Sequence, residues 1–308
     1  MTIQQLEYIV AVDDHRHFGK AAEACNVTQP TLSLMIKKLE DELDTVIFDR
    51  ESHPVQATST GRKIIDKARV VIFNAAQLVE MTRSEKELIS GELNLAVIST
   101  VAAVLTPGVF KYFQRSHPEV ELNIQEMLTD NIKSHLHKAR VDMGIMVSPV
   151  NDPELLEIPL YTERFMAYVS PGNPLHASES LESGRLLDHP LWIMKDGLRL
   201  FDKSMLKEGE RFSYEKMYEG GRAGTLIYIV NELGGMTIVP ESHKPLILYS
   251  MQSNLRPMVN PEVSRTLSLV IRKDYVHEAM MNLVIDAVRE CIPAEMLSDV
   301  IRAGSIRL

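Results

Sequence analysis

Gln29, Thr31, Ser33 and Leu34, followed by Lys37 and Lys38, bring an amide, two hydroxyls, an apolar tip and two ammonium groups into one short stretch. An amide can pair with an adenine edge, a hydroxyl can bond bases or phosphates, leucine can touch a thymine methyl, and lysine neutralises backbone phosphate. This set is suited to recognising a duplex rather than to breaking bonds. Thr28 or Gln29 can cap a helix here, and Pro30 fits its first turn, where a missing N–H costs little. At about 100° per residue Leu32, Ile36, Leu39 and Leu43 make an inward stripe. Pro30, Ser33, Leu34, Lys37 and Lys38 then share the opposite face.

The elements that must position this helix are legible on both sides. Thr2 and Gln5 form a capping-box pair ahead of a first helix, Ile3 to Asp14. A second helix is expected from Gly19 to Cys25, where Ala21 and Ala22 allow close packing, with Asn26 as a left-handed stop. Val46 to Arg50 and Val55 to Ala57 read as two short strands around Glu51 to Pro54, a wing from which Arg50 would grip phosphate. In a helix-turn-helix the second helix enters the major groove and its N-terminal residues read bases. Taken alone, three short helices with an alanine pair more often reflect ordinary helix packing. Beyond the wing, Thr58 or Ser59 can cap a long helix reaching about Glu87, with apolar positions at Ile64 or Ile65, Ala68, Val71 or Ile72, Ala75, and Leu78 or Val79. That spacing predicts a seam for a second copy; packing on its own domain is the alternative.

The string Phe18-Gly19-Lys20-Ala21-Ala22, Thr28 to Ser33, Ile36, Leu39-Glu40, Leu43, Phe48, Arg50 and Thr58 to Gly61 resembles the signature of LysR-type transcriptional regulators. Leu6 to Ala11 and His15 to Phe18 are similar to its peroxide-sensing OxyR branch. The resemblance implies a homodimer or dimer of dimers on double-stranded DNA, acting through RNA polymerase, with no cofactor. Asp44 departs from the usual glycine after Leu43, tolerable because Asp can adopt the left-handed region. His53 and Pro54 replace more basic residues at the wing tip.

From Glu92 onward β-like and helical segments alternate, which argues a mostly parallel sheet. Strands are expected at Leu93–Ile98, Val120–Ile124, Met143–Val147 and Leu155–Pro159, with helical segments at Pro107–Arg115 and Asp130–Lys138. A second series has strands at Met166–Val169, Leu191–Met194, Lys216–Tyr218 and Met236–Val239, and a helix at Ala223–Leu233. Arg265–Ile271 and a helix Tyr275–Glu290 return to the first lobe. With what the resemblance implies, the fold class is an all-α winged helix-turn-helix domain (1–58) and linker helix (59–88), joined to a two-lobed α/β, periplasmic-binding-protein-like sensor domain (89–308). Open α/β sheets take ligands beyond the carboxyl ends of their strands. Ser99, Thr100 and Val101, Thr129, and Ser148 are therefore the effector candidates, with helix capping as the competing role.

In the OxyR branch a reactive cysteine follows an acidic-Gly-His run in the second lobe. Here Lys195 to Asp202 puts Leu198 and Arg199 where His and that cysteine are expected, and Met205 to Arg211 has none. Thr100, Thr129 and Asp202 do match the branch's pocket pattern. The reading is of a regulator whose DNA binding is indifferent to peroxide; an OxyR-type stress regulator with a non-standard mechanism is the alternative. Arg199 offers a fork for a carboxylate or phosphate.

Composition sets the outer bounds. The 308 residues carry net charge −9, so DNA contact must rest on local basic groups rather than on the whole chain. The two cysteines, Cys25 and Cys291, lack metal or disulfide spacing. No export signal or apolar run of about 18 residues is present, which points to a cytoplasmic protein without membrane contact. Absence of a Walker loop, GxGxxG, HExxH or GxSxG argues against an enzyme. A solute-binding or other non-DNA interaction protein is the remaining rival.

Overall fold

The computed structural model describes residues 1–80, 89–188, 191–194, 216–218, 223–304 and 306. They belong to two compact units: Met1–Leu88 with Lys133–Asp142 and Asp274–His277, and Ile89–Ile132 with Met143–Lys273 and Glu278–Leu308.

The first unit opens with α1 (Ile3–His15), α2 (Phe18–Ala24) and α3 (Gln29–Glu42). The capping box is present: Thr2 Oγ1 accepts from Gln5 N at 3.2 Å, and Gln5 Oε1 accepts from Thr2 N at 2.9 Å. Gln5 Nε2 also donates to Met35 O, tying α1 to α3. Helix α2 starts and stops one residue earlier than expected because His17 caps it, its Nδ1 accepting from Gly19 N and Lys20 N. The chain leaves α2 through Asn26 (φ 55°) and α3 through Asp44 (φ 48°), two short polar residues in the left-handed region.

Leu32, Ile36 and Leu39 are fully buried in one core with Ile9, Val12, Ile47, Phe48 and Ile65. Leu43 is a correction to the inward stripe. It caps α3 and is 37% exposed, because helical periodicity ends at Glu42. The wing is shorter than the sequence suggests, β1 (Phe48–Asp49) paired antiparallel with β2 (Gln56–Ala57). Ile47 is lost to the ladder because its N–H goes to Glu40 and its carbonyl to Thr58 N; Val55 N goes to Arg16 O.

Helix α4 (Ser59–Glu80) is capped by Thr58, whose Oγ1 accepts from Gly61 N at 2.9 Å. Its apolar seam divides. Ile65 and Ala68 are buried in the core of this unit and Ile64 and Ile72 pack against it, whereas Val71 and Leu78 remain 46% and 67% exposed. Arg69 fastens α4 to the end of α1 through Asp13 and Asp14. Residues 81–88, over which the sequence predicts further helix, lie outside the described residues.

The second unit and the segments inserted from it contain, in order, β3 (Gly91–Ile98), α5 (Ser99–Ser116), β4 (Val120–Met127), α6 (Thr129–His137), β5 (Met143–Val147) and β6 (Leu155–Val169). There follow β7 (Leu181–Glu182), β8 (Leu191–Met194), β9 (Lys216–Tyr218), α7 (Ala223–Leu233) and β10 (Met236–Pro240). The remaining elements are β11 (Leu255–Val259), β12 (Ser264–Arg272), α8 (Glu278–Cys291) and α9 (Asp299–Arg302). Strands β4, β3 and β5 are parallel neighbours, as are β10, β8 and β9.

Between these two parallel sets the sheet is antiparallel, which corrects the expectation of a mostly parallel sheet. Strands β6 and β12 pair antiparallel over most of their length, β12 is antiparallel to β5, and β10 is antiparallel to β6. The chain crosses between lobes on β6 and returns on β12, so the two must run in opposite directions. Strand β6 is also one 15-residue element where the sequence suggests two. Pro159 prompted the break, but the ladder pairs Pro159 with Ser268 and Tyr161 with Leu267, skipping Leu160. A bulge accommodates a residue without an N–H. Alternation along β6 then fills two cores: Phe165, Ala167 and Val169 meet Leu181, Leu191 and Ile238, while Tyr168 meets Ala223 and Val230 of α7.

Helices α5 and α8 approach closely at Gly108, where an added Cβ would lie 2.3 Å from Cys291 Sγ. Gly108→Ala is expected to lower stability by about 1–3 kcal/mol through overpacking, although alanine favours a helix. Urea denaturation should show the loss largely relieved when Cys291→Ala is added; an uncorrected double variant would refute this contact as the cause.

Candidate nucleic-acid interface and effector cleft

One face of α3 is core and the other is uncovered. Gln29, Pro30, Thr31, Leu34, Lys37 and Lys38 are exposed and Ser33 is half-buried. Leu34 is 67% exposed, an apolar side chain among polar ones on a helix whose other apolar residues are inside. Gln29 is the first helical residue rather than a cap. Thr28 occupies the cap position without a side-chain cap bond, its hydroxyl meeting that of Thr31 at 2.9 Å. The first-turn N–H groups of such a helix favour an anion.

The wing root is held by a residue that the sequence reading missed. Glu40, only 9% exposed, accepts from Ile47 N at 2.8 Å, Phe48 N at 3.3 Å and Arg50 Nη2 at 2.9 Å. Arg50 also lies over the Phe18 ring at 5.4 Å, and Phe18 meets Phe48 edge to face at 5.9 Å. Arg50 is thus pinned beside α3 with its side chain 44% exposed. The available signal was a carboxylate next to Leu39 on the inward stripe, obscured by the acidic run Glu40-Asp41-Glu42.

The effector candidates follow adjacent strands. Thr100 lies one residue into α5 after β3, Thr129 begins α6 after β4, and Ser148 follows β5, so the order β4-β3-β5 brings all three to one sheet edge. Their chemistry differs. Val101 is fully buried in the core, so its side chain is not a ligand contact: the third residue of α5 turns inward. Ser148 is committed to its neighbours, donating to Glu157 Oε2 at 2.8 Å and meeting Ser268 Oγ at 2.5 Å. Thr129 and Ser99 are half-buried. Arg199 and Asp202 lie outside the described residues.

Arg265 was not among the sequence candidates and is central here. Its Nη1 donates to Thr100 Oγ1 at 2.9 Å and its Nε to Glu163 Oε1 at 2.7 Å, with side-chain exposures of 2% for Arg265 and 0% for Glu163. The guanidinium also stacks 5.2 Å from the Phe165 ring. Glu163 Oε2 is buried without a hydrogen-bond partner among the described residues. A fixed cation therefore sits behind the first turn of α5. The available signal was a charged residue at the start of a strand that becomes largely apolar from Leu267 on.

Both cysteines are half-buried, and burial raises their pKa values, aided by Glu7 at Cys25 and Glu290 at Cys291. Reactive thiols need the opposite shift. No helix among the described residues is long and apolar enough to cross a membrane.

Comparison with known proteins identifies the family of both parts of the chain. Residues 3–62 match the bacterial regulatory helix-turn-helix protein, lysR family, and residues 86–292 match the LysR substrate binding domain. The hydrogen peroxide-inducible genes activator of Dickeya chrysanthemi is 30% identical over 305 residues, covering 96% of this chain and 97% of the relative. The DNA-binding transcriptional dual regulator OxyR of Escherichia coli K12 is 30% identical over 299 residues, covering 94% and 95%. A full-length OxyR variant from Pseudomonas aeruginosa superposes with a TM-score of 0.83 at 27% identity, covering 97% of this chain and 98% of that one. With a reading head and a two-lobed α/β unit both matched, the chain belongs to the LysR family of DNA-binding transcriptional regulators and is OxyR-like in sequence and fold.

Proposed function

We propose that α3 reads the major groove, with Gln29, Thr31, Ser33 and Leu34 on base edges, Pro30 at the point of entry, and Lys37, Lys38 and Arg50 on phosphate. The observation that carries this is the exposure of Gln29, Pro30, Thr31, Leu34, Lys37 and Lys38 on the face of α3 turned away from the core, with Ser33 half-buried among them. Two copies join through the exposed face of α4 that carries Val71 and Leu78, and the assembly is a homodimer or a dimer of dimers. Pairing sets two recognition helices about 34–36 Å apart, one duplex turn. The assembly acts on RNA polymerase in the cytoplasm and performs no catalysis.

The signal we propose is a small ligand at the ends of β3, β4 and β5, met by Ser99, Thr100 and Thr129, with Arg265 behind Thr100 and with Arg199 and Asp202 supplying further polar groups. A thiol-based signal is disfavoured: the chain has two cysteines, and burial pushes both away from the thiolate.

Equilibrium binding to DNA from its own promoter region tests the contact assignments. Lys37→Ala should weaken binding to all duplexes alike and reduce the slope of log K against log salt by about 1. Gln29→Ala should instead cost about 1–3 kcal/mol at one base position and relax the preference there. A Lys37→Ala slope equal to wild type, with Gln29→Ala sequence preference intact, would place the interface elsewhere.

A further inference from the structure

The second unit contains a cavity of about 770 Å³ that none of the effector candidates lines. Strand β6 explains the separation. Glu163 faces Arg265, whereas its neighbours Thr162 and Arg164 line the cavity, as alternation along a strand requires. On β6 the cavity and the Glu163–Arg265–Thr100 contact therefore lie on opposite faces, while Val104 of the cavity wall follows Thr100 by one turn of α5. Its size is within the range of about 300–1,000 Å³ typical of small-molecule sites.

The wall has an apolar part and a polar part. Val104, Ile292, Met296 and Leu297 supply the first. Among the charged groups, Arg164 is spent on Glu241, with Nε and Nη2 donating at 3.0 and 2.8 Å, and stands 3.6 Å from Glu262. Arg302 is spent on the carbonyls of Ala294 and Glu295 and lies 3.8 Å from Asp299. One positively charged group is left. Lys244 lines the cavity without an ion pair among the described residues. Ser242, 9% exposed, also lines it, but its Oγ is closed off from solvent and has no hydrogen-bond partner among the described residues.

We propose that this cavity is a second ligand site, for a monocarboxylate with an apolar body. The carboxylate meets the Lys244 ammonium, and the body lies on Val104, Ile292, Met296 and Leu297. Glu241 does not oppose the charge because Arg164 neutralises it, and Glu295 and Asp299 are exposed to screening solvent. The site is independent of the ligand proposed at Thr100.

Calorimetric titration of the full chain with octanoate, octanol and octylamine tests it. Octanoate should bind saturably in the millimolar range or below and more tightly than either analogue. Lys244→Gln should weaken it by about tenfold, the loss of one charge-assisted contact, while binding duplex DNA like wild type. Thr100→Val should leave octanoate affinity unchanged, which separates this site from the cleft. The proposal is overturned by absence of saturable octanoate binding, by tighter binding of octylamine, by Lys244→Gln at wild-type affinity, or by loss of octanoate binding in Thr100→Val.

Discussion

Gly61→Ala is expected to destabilise the N-terminal unit by about 2 kcal/mol or more and to abolish duplex binding at temperatures where wild type binds fully. Helix propensity points the other way, since alanine is favoured over glycine by about 0.8–1 kcal/mol in a helix interior. Geometry decides the sign. A Cβ on Gly61 would stand 2.0 Å from Ile47 O, 2.8 Å from Ile47 C and 2.9 Å from its Cα, all backbone atoms. Ile47 cannot retreat cheaply, because its carbonyl accepts from Thr58 N and its N–H is held by Glu40. Nor can α4, whose first turn is fixed by the Thr58 cap and by Ile65 in the core. The clash would part α4 from the root of the wing, and with it the placement of Arg50. Urea denaturation and DNA titration read the two effects; a variant as stable as wild type would mean that α4 and Ile47 are not in contact.

Arg265→Ala should cost the sensor unit about 3–5 kcal/mol, the range for removing one partner of a buried ion pair. Both side chains are inside, at 2% and 0% exposure, so Glu163 would be left with an uncompensated charge and Thr100 without its donor. Replacing the pair together, Glu163→Leu with Arg265→Met, should recover most of the stability, because well-packed apolar groups avoid the desolvation penalty. The same double variant should not respond to effector, since the cation behind Thr100 is gone. Thermal denaturation of the single and double variants checks this; equal losses in both would show that packing, not charge, holds this site.

Much of this architecture is written in local patterns. The Thr2–Gln5 box, the stop at Asn26 and the bounds of Met143–Val147, Leu191–Met194 and Ala223–Leu233 depend on residues within a turn or a strand of one another, and they appear where the sequence places them. What was missed depends on distant partners. Pro159 reads as a strand end until β12 supplies a bulge to hold it. The antiparallel crossing follows from the chain going out on β6 and back on β12. Glu40 and Arg265 look like surface charges because the groups that bury them, the N–H groups of Ile47 and Phe48 for one and Glu163 and Thr100 for the other, come from elsewhere in the chain. Val101 errs in the opposite sense: its position beside Thr100 suggested the pocket, but one step along a helix turns a side chain by about 100° and takes it into the core.

The central claim is that the outer face of α3 enters the duplex. The most direct measurement is the affinity of Ser33→Glu for DNA from the chain's own promoter region at one fixed salt concentration, with circular dichroism to establish an intact fold. A carboxylate on that face would meet phosphates and base edges across a short gap, so duplex binding should be lost while the helical spectrum is retained. Wild-type affinity in a folded Ser33→Glu protein would contradict the account.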